Sequence, residues 1–247
     1  MEGCAGRRRT SRSNYAAILA LALIAPAADY GQALQPSEVL DRYLANGPDD
    51  RPDCSNLVFS VQIDASMPSL KKQGSMTGFR RIVRPGQVVY QGLRFTGDTF
   101  VRNQVIARFL THDRDPSGQG DVGLTPANYV FTFAKAADYN GLLAYVFLLK
   151  PRRKRAGLFR GELWLNANTA APLRMWGDLV KSPSLFVSSF RFVQDYQTAA
   201  GCNAPLRILL TSRARVAGKV EMTVWMRPAT GEADPAGSAS NFQEHHL

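Results

Sequence analysis

The sequence has few of the side chains that most often carry out chemistry in proteins. Only three histidines and three cysteines occur among 247 residues. His245 and His246 lie at the carboxyl end, and His112 stands alone beside Asp113 and Asp115, where a solvated loop residue is favoured over a metal or acid–base role. No nucleophile elbow, zinc-protease helix motif or phosphate-binding Walker loop is present. We therefore expect no catalytic residue, no metal and no cofactor.

Acidic residues are also too few to balance the basic ones, and the net charge is +10. Arg7–Arg9 and Arg12 precede a short apolar run, Tyr15–Ile24, which small residues follow. This layout predicts a secretory signal peptide over residues 1–33, cleaved after Ala27 or after Ala33. The apolar run is shorter than the ~20 residues that a transmembrane helix needs.

Export narrows the meaning of the remaining positive charge. Cleavage after Ala33 removes four arginines and two acids, so the mature chain keeps a net charge of +8. A basic surface fits nucleic acid, anionic lipid or simple solubility, and an exported protein rarely meets nucleic acid. No cysteine follows the apolar run as a lipid attachment site. We expect a soluble, exported and unanchored protein, a monomer that binds no nucleic acid.

Two cysteines, Cys54 and Cys202, remain after cleavage. In an oxidising compartment such a pair predicts one disulfide, although two buried free thiols remain an alternative. A disulfide that closes so long a loop would stabilise the protein by roughly 5 kcal/mol in the chain-entropy account.

The rest of the chain reads as short strands with turn residues between them. The segment from Leu142 to Tyr196 is apolar enough to predict a sheet covered on both faces. One short amphipathic helix begins near Ser37, which is placed to cap it, and its apolar face is Val39, Leu40, Tyr43 and Leu44. This helix either packs on the sheet or forms a lid. Ten or eleven strands predict one mainly β domain over residues 34–228, a barrel or a strongly curved sheet, and then a disordered tail over 229–247.

Two segments between the predicted strands are less regular. Thr99 to Leu110 fits either a helix or a strand. Thr111 to Ala127 is polar and without periodicity, so it predicts a long loop, a feature uncommon unless functional or mobile.

Two groups of side chains are candidates for binding. The turn from Lys150 to Arg155 carries five cations and is either a solvated turn or a contact for anionic lipid or an acidic partner. Aromatic side chains on the predicted strands are either ordinary core or the lining of an apolar groove for acyl chains. The aromatic groove candidates are Phe131, Phe133, Tyr145, Phe147, Trp164, Trp176, Phe190, Phe192 and Trp225.

The order of these elements resembles the outer-membrane lipoprotein-sorting and carrier family (LolA/LolB-like). The resemblance rests on the signal peptide, the short helix and a series of strand–turn segments. These segments are Gly78–Gly86, Phe95–Asp98, Tyr145–Pro151, Gly161–Asn166 and Pro172–Arg174.

This resemblance implies an unclosed half-barrel of about eleven antiparallel strands whose apolar concave face is covered by short helices. It also implies an arginine that closes the lid, for which Arg80, Arg81 and Arg84 are candidates. The implied function is a periplasmic carrier of lipid or lipoprotein acyl chains, with an inner- or outer-membrane protein as a further partner. The alternative is a sensor or interaction module of the same fold.

Overall fold

The computed structural model describes residues 33–45, 57–84, 87–114, 122–182, 187–199, 201–215 and 217–229. Residues 1–32 of the predicted signal peptide, Cys54, and residues 230–247 of the predicted tail lie outside these ranges.

Ten strands and a few short helical stretches make up the described part of the chain. The strands are β1 (Val58–Met67), β2 (Lys72–Arg84), β3 (Gln87–Gly97), β4 (Tyr129–Tyr139), β5 (Leu142–Pro151), β6 (Phe159–Asn166), β7 (Pro172–Leu179), β8 (Val187–Ala199), β9 (Cys202–Ala214) and β10 (Gly218–Pro228). The helical stretches are α1 (Pro36–Ala45), a 3₁₀ turn (Pro68–Leu70), α2 (Thr99–Val101), a π-helical turn (Arg102–Ile106) and α3 (Ala107–Arg114). The last three are consecutive and are called the α2–α3 segment.

The strands form one unclosed antiparallel sheet in the order β3-β2-β1-β10-β9-β8-β7-β6-β5-β4. This confirms the predicted fold class, an open and mainly β half-barrel with short helices. The strand segments predicted from alternation and turn residues are all present, because Gly and Asn residues take left-handed conformations at several turns. Asn140 and Gly141, for example, have φ values of 53° and 81° between β4 and β5.

The connection between β3 and β4 must cross the sheet. These two strands are consecutive along the chain, yet they lie at opposite edges of the sheet. Nine strand spacings of ~4.8 Å separate the edges, up to about 43 Å if the sheet were flat. The α2–α3 segment begins this crossing, which resolves Thr99–Leu110 as helix. The helix runs on to Arg114, so residues 111–114, predicted as the start of a long loop, are helical instead.

Strand register gives the sheet two different faces. One row of directly paired residues crosses all ten strands and is apolar except for one glutamine. It is Phe95, Met76, Ile63, Val224, Ile208, Gln194, Met175, Leu163, Phe147 and Phe133. We call the face that carries this row the covered face, because the helices pack on it.

The neighbouring row points the other way, since successive side chains on a strand alternate between faces. It is Arg94, Thr77, Gln62, Trp225, Arg207, Asp195, Arg174, Trp164, Val146 and Lys135. We call this the open face. The open face of Leu142 to Leu149 is covered only in part, because Ala144 and Val146 are fully buried there whereas Leu142 and Leu148 are exposed.

Each helical element covers one end of the covered face. Val101, Ile106 and Leu110 of the α2–α3 segment are buried against apolar residues of β1, β2 and β10. Val39 of α1 is fully buried against residues of β4, β5 and β6. Burial of these stripes is the main term that holds the short helices in place, since helices this short are marginal alone.

The helix starts differ in how they are capped. The Asp98 carboxylate accepts hydrogen bonds from the backbone N–H groups of Phe100 and Val101, at 2.8 and 3.1 Å, so it caps α2. The sequence predicts Ser37 as the cap of α1, but the structure does not place it there. The helix begins at Pro36, and the Glu38 carboxylate reaches back to accept from the Gln35 N–H at 2.9 Å.

Leu149 and Leu148 provide a matched test of the two faces. They are consecutive on β5, but Leu149 is 1% exposed on the covered face and Leu148 is 45% exposed on the open face. We expect Leu149→Ala to lower the free energy of unfolding by about 2–5 kcal/mol, through lost burial and a residual cavity. Leu148→Ala should cost less than about 1 kcal/mol. Urea denaturation measures both, and equal losses would contradict the assignment of faces.

Candidate functional site

The covered face is not covered evenly. The two helix-covered clusters lie towards its two edges, and the strands between them, β7, β8 and β9, carry apolar side chains that are only half-buried. We call this strip the seam. Its covered-face side chains are Met175, Phe190, Phe192, Gln194, Ile208 and Leu210.

Two glycines allow close packing of aromatic rings on the strand backbone at the seam. Gly161 and Gly177 are paired on the covered face, and the Phe159 ring lies where a Cβ on Gly177 would be, with the nearest ring carbon 2.2 Å from that position. Phe159 then meets Phe192 edge to face, with ring centroids 4.8 Å apart. The glycines therefore let aromatic rings lie against the strand backbone at this position.

Gln194 is the polar member of the apolar row that crosses the sheet. Its direct neighbours on β9 and β7 are Ile208 and Met175. A buried amide without partners costs free energy, so a glutamine fits a row like this best where solvent reaches the face. The half-buried state of Gln194 agrees with this.

A polar cluster ties the α2–α3 segment to the sheet. Arg80 Nε of β2 donates to Asp113 Oδ2 of α3 at 2.8 Å, and the Tyr90 hydroxyl of β3 donates to the same oxygen at 2.7 Å. Arg80 and Tyr90 are paired in the sheet, so they approach Asp113 from adjacent strands. We call these three residues the latch.

The latch is largely removed from solvent, and this environment shifts the pKa values of Tyr90 and Arg80. Burial and the Asp113 carboxylate raise the pKa of Tyr90 well above its ordinary value. Burial alone would lower the pKa of Arg80, but its hydrogen bond and charge interaction with Asp113 outweigh this and raise it. The latch is therefore an ion pair with a neutral phenol at ordinary pH.

Of the three arginines that the resemblance offers as the lid-closing residue, Arg80 is the one that forms an ion pair with a helix among the described residues. Arg81 is on the opposite face of β2, because it is adjacent to Arg80. The side chain of Arg84 lies outside the described residues. Asp113, the partner of Arg80, was not found from the sequence, where it only marked a polar loop.

The helix predicted as a lid lies against the other end of the covered face. Val39 is fully buried there, Leu40 and Tyr43 pack against the same cluster, and Leu44 is half-buried. The Tyr145 hydroxyl donates to the Leu34 carbonyl at 2.9 Å, which fixes the chain just before the helix. The structure thus packs three of the four predicted lid residues, Val39, Leu40 and Tyr43, against the sheet.

The nine aromatic residues predicted to line one groove are divided between the two faces. Register places six of them on the covered face: Phe131, Phe133, Tyr145, Phe147, Phe190 and Phe192. Trp164, Trp176 and Trp225 are on the open face. Alternation makes neighbouring odd and even positions diverge, so a strand rich in aromatics supplies both faces.

The open-face tryptophans belong to a polar network. Asp195 is 5% exposed and accepts from Arg207 Nη2 at 2.6 Å and from the Tyr139 hydroxyl at 3.1 Å. Arg207 lies over the Trp225 ring, with its guanidinium carbon 5.3 Å from the ring centroid. Charge pairing and cation–π contact explain how a carboxylate is buried on this face.

Within the described ranges, no group of three or more His, Cys, Asp or Glu side chains is placed to hold a metal. His112 lies on α3 and is exposed. Cys202 is buried and disulfide-bonded, but Cys54 lies outside the described residues, so their pairing stays a prediction. The helices of the described part include none long and apolar enough to cross a membrane.

Two open depressions, of about 650 and 920 Å³, lie on the open face near β1. Polar side chains supply much of their lining, for example Asp64, Ser75, Thr211 and Glu221 in one and Ser60, Gln62, Thr77 and Arg94 in the other. Both mix polar with apolar side chains and are open to solvent, whereas the seam is apolar except for Gln194, so the seam is the apolar candidate site.

The fold and this site define a class: a single open β sheet with one apolar face under short helices. The sequence matches no protein-family profile and no curated protein. Solved structures with a similar fold do exist. One is an outer membrane lipoprotein-sorting protein domain from Vibrio parahaemolyticus, 13% identical, with 80% of this chain and 94% of that one aligned and a TM-score of 0.43.

A LolA superfamily protein from Nitrosomonas europaea is 10% identical, with 76% of this chain and 90% of that one aligned and a TM-score of 0.35. A chain of the Pseudomonas aeruginosa MucA/MucB complex is 12% identical, with 78% and 98% aligned and a TM-score of 0.24. Similarities with TM-scores this low are recorded as similarities and say nothing of the function of this chain.

The latch can be tested against an exposed ion pair. Removing the carboxylate in Asp113→Ala leaves the buried Arg80 without its partner, and we expect the free energy of unfolding to fall by about 2 kcal/mol. Asp178→Ala is the control, because Asp178 pairs with Arg191 in solvent at 2.7 Å. It should cost less than about 1 kcal/mol. Equal losses in urea denaturation would show that the latch is no more important than a surface pair.

Tyr90 gives a prediction for alkaline pH. Its pKa is raised in the folded protein, so the folded state keeps the phenol proton where the unfolded chain releases it, above pH ~10. The contribution of Tyr90 to stability is therefore complete below that pH and is lost as pH rises. Between pH 9 and 11 the unmodified protein should lose about 1 kcal/mol more than Tyr90→Phe. Parallel pH profiles of the two proteins would count against this assignment.

Proposed function

We propose that this protein is an exported periplasmic carrier that binds lipid or lipoprotein acyl chains at the seam and shields them in transit towards the outer membrane. One observation carries the proposal: the row that crosses all ten strands is buried from Met76 to Val224 and again at Leu163 and Phe147, where helices cover the sheet, and is only half-buried between these two stretches. A complete core would be buried throughout. A strip of half-buried apolar side chains between two helical covers suits a flexible apolar ligand.

The chemistry of the seam matches an acyl chain. Met175, Phe190, Phe192, Ile208 and Leu210 offer aliphatic and aromatic surface, and Met adapts its shape to flexible partners. Each methylene removed from water contributes ~0.8 kcal/mol, so a few contacts along the strip give useful affinity. No bond is made or broken in this proposal, which makes the protein a carrier and not an enzyme.

The latch supports a cover that opens. The α2–α3 segment rests on the sheet through apolar contacts, which have no strong directionality, and its α3 end is also held by the directional cluster of Arg80, Tyr90 and Asp113. Displacement of the segment by a ligand would break the charged hydrogen bond, and its return would restore it. In this proposal Arg80 is the residue that holds the cover closed.

Lipid binding can be tested with an isosteric substitution at the seam. Gln194→Glu places a carboxylate beside the proposed chain at almost unchanged volume. We expect its affinity for a neutral fluorescent acyl ligand to fall about tenfold, the loss of contact with roughly two methylenes. Gln91→Glu makes the same change at an exposed position on β3 and should bind like the unmodified protein. Fluorescence titration measures the affinities.

Two results would overturn the carrier proposal. One is an unmodified protein that carries no lipid by mass spectrometry after purification and takes up no acyl ligand. The other is equal binding by Gln194→Glu and the unmodified protein, which would place any bound lipid away from the seam. The first result would leave the interaction-module hypothesis, for which a pull-down of a specific membrane protein without lipid is the test.

A further inference from the structure

The basic turn, residues 150–155 at the end of β5 and before β6, carries the most concentrated charge of one sign in the described part of the chain. Its cations are Lys150, Arg152, Arg153, Lys154 and Arg155, and all five are exposed. Among the described residues, none of the ion pairs formed includes any of them. The other exposed and half-exposed cations that form pairs lie on strands, beside acids. The acids that pair with those cations therefore do not neutralise the positive charge of this turn.

The turn is held in a defined position. The Arg152 backbone N–H donates to the Asn128 carbonyl at 2.8 Å, and Arg152 Nε donates to the Pro126 carbonyl at 2.7 Å. On the far side, the Leu158 N–H donates to the Arg155 carbonyl at 3.3 Å. Because these bonds fix the turn, its cations lose less conformational entropy when they meet a partner.

Exposed aliphatic side chains adjoin the basic turn. Val130 on the edge strand β4 is 39% exposed and is paired directly with Lys150, the first cation of the turn. Leu148, 45% exposed, is on the same face two residues before Lys150. The acid that faces them, Glu162 on β6, accepts from the indole N–H groups of Trp164 and Trp176, both at 2.9 Å. It is thus directed along the sheet towards these indoles.

We propose that this turn and the adjoining aliphatic side chains dock the protein on an anionic lipid bilayer. Clustered cations are attracted to anionic headgroups, and aliphatic side chains beside them enter the interfacial layer. An acidic polypeptide would satisfy the cations but would leave Val130 and Leu148 without a role. This surface is separate from the seam, and the proposal does not depend on acyl binding there.

Vesicle binding by the purified exported protein tests the docking surface. The probes are vesicles of phosphatidylcholine alone and of phosphatidylcholine with phosphatidylglycerol at 7:3, in co-sedimentation. We expect binding to the anionic vesicles only, weakened by salt. The triple variant Arg153→Gln, Lys154→Gln, Arg155→Gln should lower the apparent affinity about 100-fold, since each cation near an anionic surface is worth roughly fivefold.

Matched variants separate the turn from total charge. Lys71→Gln, Lys181→Gln and Arg213→Gln together remove the same charge from exposed positions on other elements and should reduce binding less than about fivefold. Leu148→Gln should weaken binding severalfold with the charge unchanged. Gln194→Glu, the seam variant, should bind vesicles like the unmodified protein, so failure of docking and failure of acyl binding are distinguishable.

Several outcomes would overturn the docking proposal. They are no binding to anionic vesicles, equal binding to neutral ones, or equal losses in the turn triple and the dispersed triple. Binding of polyglutamate without binding of vesicles would also overturn it, in favour of an acidic polypeptide. Circular dichroism of each variant confirms that the fold is intact.

Discussion

The structure depends on the need to cover one apolar face of a single sheet. In a two-sheet sandwich a second sheet does this, but here all ten strands belong to one unclosed sheet. The cover comes from the chain connections. Since β3 and β4 are consecutive and lie at opposite edges, the chain between them has to cross, and the α2–α3 segment covers part of the apolar face as it does so. The connection that the strand order requires therefore also covers part of the apolar face.

This arrangement leaves the apolar side chains of the seam, on β7, β8 and β9, only half-covered. Short helices cover the two ends, held by apolar stripes and, for the α2–α3 segment, by the bond between Arg80 and Asp113. The open face is stabilised in another way, by paired charges and indoles around Asp195 and Glu162. The two faces differ because one faces helices and the other faces water.

Much of the fold could be predicted from local pattern. Alternation and turn residues located the ten strands, because a two-residue period of apolar and polar side chains can be recognised within a few consecutive residues. Thr99–Leu110 stayed ambiguous although a signal was there: Asp98 is a good helix cap, and Val101, Val105 and Phe109 recur at four-residue spacing. The site was predicted only in part. Aromatic content indicated an apolar surface. It also led to the prediction that the three tryptophans share a groove with the phenylalanines, whereas they lie on the other face.

The sequence by itself determined the ten segments that form strands and the basic run from Lys150 to Arg155. Only the tertiary structure decided which residues share a face across the sheet, because register depends on pairing between strands far apart in the chain. It placed Trp164, Trp176 and Trp225 on the open face and brought Asp113 to Arg80, a partner 33 positions away. No local sequence pattern predicts that these two residues are in contact, because the contact depends on how the chain between them folds.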